Sequence, residues 1–338
     1  MNIHKAIQLA YDYYQKGNFK QSEHTFKKIL KVHPNNFTVL YFLAEIYYQS
    51  GDHDSAITYF KKVLQLNPTS DDAYYNLGNI FKEKGQLDDA ITCYQKAIEL
   101  NPSLADVYNN LGLVLQEKGQ FDEAITHYKK ALHLNPKYAY AYYNLGNTMK
   151  EKGQLDEAIT CYQKAIELNP SLTDVYNNLG IAFQQKGHLD NAIAHYQKAL
   201  QLNPDYADAY YNLGNVFKDK GQLDEAIEYY RKALQLNPNF IHAYNNLGIA
   251  LQDKGHLDEA ITSYQKALKL KPDDAEAHWN MSIALLLSGN FKEGWKEYEW
   301  RLTVKDFQQR NFSQVLWNGS DIKGYTILLH AEQGIEEG

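Results

Sequence analysis

The chain has 338 residues, 44% hydrophobic and 22% charged, with 34 Lys and Arg against 41 Asp and Glu for a formal net charge of −7. That acidic balance argues against a nucleic-acid footprint, which needs a basic surface. No apolar run approaches the ~20 residues that span a bilayer, and the N-terminus, MNIHKAIQLAYDYY, carries charge and tyrosines where a signal peptide has a continuous apolar core.

Cys93 and Cys161 are the only cysteines and lie 68 residues apart. They mark one duplicated position rather than a disulfide or metal pair, which fits a reducing compartment; the cytoplasm is the expected location.

Punctuation organises the chain from its first residues onward. Glycines stand at Gly17, Gly51, Gly85, Gly119, Gly153, Gly187, Gly221, Gly255 and Gly289, each 34 residues from the next. All eight prolines follow the same step, from Pro34 through Pro68, Pro102, Pro136, Pro170, Pro204 and Pro238 to Pro272. Before each glycine lies a segment such as DVYNNLGLVLQEK. Between glycine and proline lies another, such as QLDEAITCYQKAIELN, apolar at i, i+3, i+4 and i+7. Both read as amphipathic helices. The first helix is expected to end at a Lys-Gly pair, the glycine supplying a left-handed cap and the lysine complementing the helix dipole. Asp88, Asp156 and Asp224 are placed to cap the second helix. Asn-Pro ends it, because proline cannot continue a helix and restricts the residue before it.

Taken in order, the units are 3–36, 37–70, 71–104, 105–138, 139–172, 173–206, 207–240, 241–274 and 275–308. The first two and the last are irregular, as terminal repeats usually are: Ala10 and Ser22 stand in the first where Gly248 and Ala260 stand in the eighth, and Ser282 and Gly294 in the ninth. In the middle, residues 84–112 recur almost verbatim at 152–180, a superperiod of two units.

These signatures resemble the tetratricopeptide repeat, whose motif is carried in one copy by Tyr244, Leu247, Gly248, Leu251, Ala260, Tyr264, Ala267 and Pro272. The resemblance covers residues 3 to about 308. It implies an all-α fold, a right-handed α-solenoid of stacked helix–turn–helix repeats whose first helices line a concave face and whose partner is a protein or peptide.

Two residues before each Leu-Gly glycine stands an asparagine: Asn76, Asn110, Asn144, Asn178, Asn212, Asn246 and Asn280. Asparagine is a mediocre helix former where Glu, Lys or Gln would be ordinary. One reading is a polar residue that aligns the stack. The other is a column of carboxamides able to bond both N–H and C=O of an extended peptide without reading its side chains. The column resembles the asparagine ladder of the O-linked N-acetylglucosamine transferases, and that resemblance makes the seven candidate peptide contacts. Gln8 and Phe42 break the pattern, so the groove is expected to begin near the third repeat. Beside the ladder, Tyr75, Tyr143 and Tyr211 trade with Asn109, Asn177 and Asn245. Asn79, Asn147 and Asn215 trade with Leu113, Ile181 and Ile249, and Lys82, Lys150 and Lys218 with Gln116, Gln184 and Gln252. Such an amide- and tyrosine-rich lining suits adaptable contact with a polypeptide. A carboxylate clamp for a free C-terminus, the other mode known in the family, is not expected, because the lysines fall one per alternate repeat beside Glu83, Glu151 or Asp219.

No catalytic chemistry is expected in residues 3–308. The twelve histidines include no His-x-x-x-His, and no P-loop, Gly-x-Gly-x-x-Gly or Gly-x-Ser-x-Gly occurs. His127 and His195 share the repeat position of Cys93 and Cys161, where packing is the ordinary role. The chain is read as a non-enzyme with no metal and no cofactor, and near-identical repeats allow end-to-end self-association.

From residue 289 the composition changes, and residues 309–338 form a tail outside the repeats. GYTILLH reads as a short buried strand followed by a turn, AEQG. The stretch resembles the junction at which bacterial tetratricopeptide arrays lead into a glycosyltransferase domain of the heptosyltransferase type. It does so at Gly294, Trp295, Tyr298, Glu299, Trp300, Arg301, Trp317, Gly319, Leu328, Leu329, Glu332, Gln333 and Gly334. In those proteins Glu-Gln-Gly is followed by a small residue and Gly-Asp, here by Ile335 to Gly338. The resemblance implies the recruiting arm of a glycosyltransferase whose catalytic domain is absent from this chain; the other reading is a C-terminal cap.

Overall fold

The computed structural model describes residues 3–303, which divide between His195 and Tyr196 into two compact units. The expected strand and turn, and the junction residues from Trp317 onward, lie outside the described residues.

In the first unit the helices are α1 Ile3–Gln15, α2 Phe19–Val32, α3 Phe37–Gln49, α4 His53–Leu66, α5 Asp71–Glu83, α6 Leu87–Leu100, α7 Ala105–Glu117, α8 Phe121–Leu134, α9 Ala139–Glu151, α10 Leu155–Leu168 and α11 Thr173–Gln185. Helix α12, Leu189–Leu202, contains the division. In the second unit follow α13 Ala207–Asp219, α14 Leu223–Leu236, α15 Ile241–Asp253, α16 Leu257–Leu270, α17 Ala275–Leu287 and α18 Phe291–Tyr298, with a 3-10 turn at Glu299–Thr303. Each unit is all-α, a solenoid in which every helix packs chiefly on its chain neighbours and first helices of successive pairs, such as α5 and α7 or α13 and α15, also touch.

The turn inside each pair is set by its glycine. Gly85 adopts φ +69°, a conformation that only glycine reaches without strain. Its N–H donates to the Lys82 carbonyl and that of Gln86 to the Phe81 carbonyl, which closes a Schellman motif. Gln86 is at once the residue past one helix and the N-cap of the next, so Leu87 opens α6 and Asp88 lies inside its first turn.

This corrects the expected capping. Gln86, Gln154 and Gln222 stand at the N-caps and make no side-chain cap bond. Asp88, Asp156 and Asp224 instead accept from Lys118, Lys186 and Lys254 of the following repeat. Lys84 does the same with Asp54 at 2.6 Å. The aspartates are largely exposed, so each pair contributes little.

The turn between pairs is closed by the asparagine before the proline. The Asn101 N–H donates to the Ala97 carbonyl, while its side-chain oxygen accepts from Ser103 N–H at 3.3 Å and Ser103 Oγ at 2.6 Å. That Asx turn suits a residue already held extended by the proline. Ser70 and Asp274 then cap their first helices through Ala73 N–H and Ala277 N–H. At the equivalent position Leu104, Leu172 and Phe240 give up the cap and pack on the core.

Inside each pair the close approach is a glycine under a tyrosine ring. A Cβ on Gly78, Gly112, Gly146, Gly214 or Gly248 would lie 2.4–2.7 Å from a ring carbon of Tyr94, Tyr128, Tyr162, Tyr230 or Tyr264. These tyrosines are fully buried. Their hydroxyls donate alternately to an asparagine, as Tyr94 to Asn79 Oδ1 and Tyr162 to Asn147 Oδ1 at 2.8 Å, and to a glutamine, as Tyr128 to Gln116 Oε1 at 3.0 Å. In the first two pairs Ala10 and Ala44 replace the glycine, and the buried ring is Phe26 or Phe60. The end of the second unit is fixed by His278, which faces Glu297 and the Pro272 carbonyl and stacks on Trp300 at 4.1 Å.

Candidate functional site

The seven ladder asparagines occupy one position on the first helices, and most are half-buried. Asn76, Asn110, Asn144, Asn178, Asn246 and Asn280 reach back with their amide nitrogens to the preceding first helix. Asn76 Nδ2 donates to Tyr41 Oη at 3.0 Å. Asn110 donates to Tyr75 Oη at 3.2 Å and Asn79 Oδ1 at 3.0 Å. Asn144, which is buried, donates to Asn109 Oδ1 at 3.0 Å. Asn178 repeats the first arrangement with Tyr143 at 3.1 Å and Asn147 at 3.0 Å.

In the second unit Asn246 donates to Tyr211 at 3.1 Å and Asn215 at 2.8 Å, and Asn280 to Asn245 Oδ1 at 3.2 Å. Asn212 holds the same place in α13. The two-repeat superperiod is thus an alternation of bonding partners. Where Tyr and Asn are the acceptors, both amide protons are used; where the lone acceptor is Asn109 or Asn245, one is.

Asn79, Asn147 and Asn215 have their oxygens engaged twice, by a ladder nitrogen and by the buried tyrosine hydroxyl. Tyr75, Tyr143 and Tyr211 accept through their hydroxyls and lean on those same buried rings at 6.2, 6.2 and 5.9 Å. Burial pushes the phenols of Tyr143 and Tyr211 up. Against an incoming chain, these bonds leave the oxygens of Asn76, Asn144, Asn178, Asn246 and Asn280 as acceptors and the nitrogens of Asn79, Asn147 and Asn215 as donors. Asn110 is the exception, its oxygen receiving a 3.3 Å bond from Asn109.

One acceptor and one such donor meet in a cleft of about 500 Å³ spanning α5, α7 and α9. It is lined by Lys82, Leu113, Gln116, Glu117, Asn144, Asn147 and Glu151. Gln116 is held rigid, donating to Glu151 at 3.2 Å while its oxygen accepts from Tyr128 and, at 2.8 Å, from Thr148. A second cleft, of about 420 Å³ between α14, α15 and α16, opens beside Ser263. Within it Arg231 pairs with Glu259 at 2.7 Å, and Lys266 sits over the Tyr244 ring.

At the start of the chain Phe42 stands in the ladder position. It packs among Tyr11, Tyr14, Phe26 and Tyr41 with ring centres 5.0–5.9 Å away. A ring cluster therefore fills the space that amide bonds occupy from α5 onward.

Among the described residues no group of three or more His, Cys, Asp or Glu side chains could hold a metal, and no helix is long and apolar enough to cross a membrane. Sequence reasoning missed the Lys–Asp column and the direction of the ladder bonds. The first was signalled by Lys and Asp recurring 30 residues apart.

Family models described as TPR repeat match residues 44–85, 78–119, 115–153, 146–187, 183–221 and 250–289, and further tetratricopeptide repeat models match 13–58, 207–240 and 229–262. The chain belongs to the tetratricopeptide repeat family.

A search of curated proteins finds no match. Among solved structures, this tetratricopeptide repeat chain is similar to the anaphase-promoting-complex hetero-tetramer Cut9–Hcn1, at 22% identity and a TM-score of 0.59 over 79% of this chain and 52% of that one. It is also similar to PilF of Pseudomonas aeruginosa, at 24% and 0.55 over 61% and 94%. At such identities the likeness speaks for the fold. MamA matches at 37% identity and a TM-score of 0.45, over 49% of this chain and 97% of its own.

Proposed function

We propose that this chain is a non-catalytic protein-interaction scaffold that holds an extended polypeptide along the face made by its first helices. Residues 3–308 serve as nine repeats of which seven carry the ladder. The observation that carries this reading is the cleft over α5, α7 and α9, lined by both Asn144 and Asn147, whose internal bonds use the Asn144 nitrogen and the Asn147 oxygen. An acceptor and a donor side by side complement the N–H and C=O of an extended backbone and ask little of its side chains.

Asn76, Asn110, Asn144, Asn178, Asn212, Asn246 and Asn280 are the acceptor column, with Asn79, Asn147 and Asn215 as donors. Tyr75, Tyr143 and Tyr211 hold the ladder nitrogens turned inward. Alignment of the stack and capture of a ligand are then two uses of one carboxamide, the nitrogen for the first and the oxygen for the second. Two thiols without a disulfide fit a cytoplasmic setting.

The test is to replace Asn144, Asn178 and Asn212 together with alanine and measure binding to a library of extended peptides, with circular dichroism as the control for folding. Loss of binding by a helical, folded variant supports the reading; unchanged binding refutes it.

A second reading, the substrate-recruiting arm of a glycosyltransferase, rests on the resemblance of residues 294–334. A gene continuing past Gly338 into alternating strands and helices would decide for it.

A further inference from the structure

Two columns of lysine run along the repeats, and they are treated differently. Lys84, Lys118, Lys152, Lys186 and Lys254, beside the turn glycines, each pair with an aspartate 30 residues earlier. Lys82 and Lys150, two residues before a lysine of that column, are half-buried and form no ion pair with any described residue. Lys218 of the second unit is alike.

The carboxylates nearest in sequence are engaged elsewhere. Glu83 accepts from Tyr48 Oη at 2.6 Å and faces His53 Nε2 at 3.2 Å. Glu151 accepts from Gln116. Burial pushes the Lys150 ammonium down from its ordinary value, and Glu151 offsets only part of that. A half-buried ammonium with no ion-pair partner is costly to keep, whereas glutamine, as at the intervening Gln116, carries no such cost. Lys82 moreover lines the same cleft as Asn144 and Asn147.

We infer that Lys82 and Lys150 are a second, side-chain-reading element of this groove, selecting polypeptides with acidic side chains at a two-repeat spacing. The inference rests on the polypeptide-binding reading above and adds a ligand class to it. First helices that touch lie ~10 Å apart, so two repeats separate the lysines by ~20 Å, which an extended strand covers in about six residues at ~3.3 Å each. The ligand is therefore an extended segment with Asp or Glu near positions i and i+6. The overall charge of −7 does not oppose this at close range, because charges more than ~8 Å away are largely screened at physiological salt. Glu117 and Glu151 line the cleft with Lys82, Glu151 accepting from Gln116, and their charges discriminate against acidic residues set off the register.

The test uses the whole chain and fluorescence anisotropy with capped, amidated 14-residue peptides. One is neutral, one carries Asp at i and i+6, and one carries Asp at i and i+3. The protein is compared with a Lys82→Gln, Lys150→Gln variant, glutamine being the residue of the intervening repeats.

The i,i+6 peptide is expected to bind the wild type on the order of tenfold tighter than the neutral one, from two modest ion pairs. The variant should bind all three equally. Equal binding of all three by the wild type, or a preference kept by the variant, overturns the inference while neutral-peptide binding leaves the groove reading standing. Binding of none of the peptides overturns both. An unamidated copy of each peptide completes the set; a preference shown only by those, through the free C-terminal carboxylate, points to a terminal clamp and overturns it as well.

Discussion

Replacing Gly146 with alanine would set a Cβ 2.7 Å from Cε1 and 2.8 Å from Cδ1 of Tyr162. The ring cannot easily retreat. It is fully buried, and its hydroxyl is tied to Asn147 Oδ1 at 2.8 Å, which in turn receives Asn178. Overpacking of this kind costs ~1–3 kcal/mol, against a gain of ~0.5–1 kcal/mol from exchanging a helical glycine for alanine. The net expectation for Gly146→Ala is a loss of about 1–2 kcal/mol. Tyr162→Phe removes only the hydroxyl bond and should cost ~0.5–1.5 kcal/mol. The double variant is the informative one. Once untethered, the ring can shift away from the new methyl, as the chain's own Ala10–Phe26 and Ala44–Phe60 pairs demonstrate by being fully buried. The two costs should therefore fall short of additivity by roughly 1 kcal/mol. Urea unfolding followed by circular dichroism, with midpoints and slopes compared across the four proteins, gives the cycle. Additive costs, or a Gly146→Ala protein as stable as the wild type, would refute the claim that the hydroxyl tether is what demands glycine.

Asn144→Ala should destabilise by ~1–3 kcal/mol, because it strips the partner from a buried amide oxygen on Asn109; a change below a few tenths in the same assay would contradict the alignment role. Lys118→Gln, by contrast, should cost under ~1 kcal/mol, since Asp88 is largely exposed. Burial holds the His127 and His195 imidazoles below their usual value, so as pH falls through about 6.5 the unfolded chain takes up protons first. Stability should therefore be undiminished above that pH and decline below it, and a His127→Tyr, His195→Tyr variant, copying Tyr229 at the same repeat position, should lose less on acidification. Burial also raises the Cys93 and Cys161 thiols to about 11; Ellman's reagent at neutral pH should consume them far more slowly in the native protein than after denaturation.

The amino-acid sequence by itself determined the period, the helix–turn–helix unit and most element boundaries. These depend on local chemistry: the positive φ that Gly85 supplies, the extended conformation that Pro102 imposes on Asn101, and a 3.6-residue apolar rhythm. It also placed the ladder asparagines on one helix face, since equal spacing along equal helices can do nothing else. Tertiary structure decided what those groups do. The same Asp88 can cap a helix or meet a lysine; the glycine turn starts α6 at Leu87 and so puts Asp88 past the capping position and beside Lys118. The end of each carboxamide that faces inward follows from acceptors 31 and 35 residues away, Asn79 and Tyr75 for Asn110. Only the stacking of one repeat on the next brings them within reach. Lys82 and Lys84 look interchangeable as sequence, yet stacking gives one a partner and leaves the other half-buried without one. A repeat records its own fold locally, but the pairing of its polar groups is settled by its neighbour.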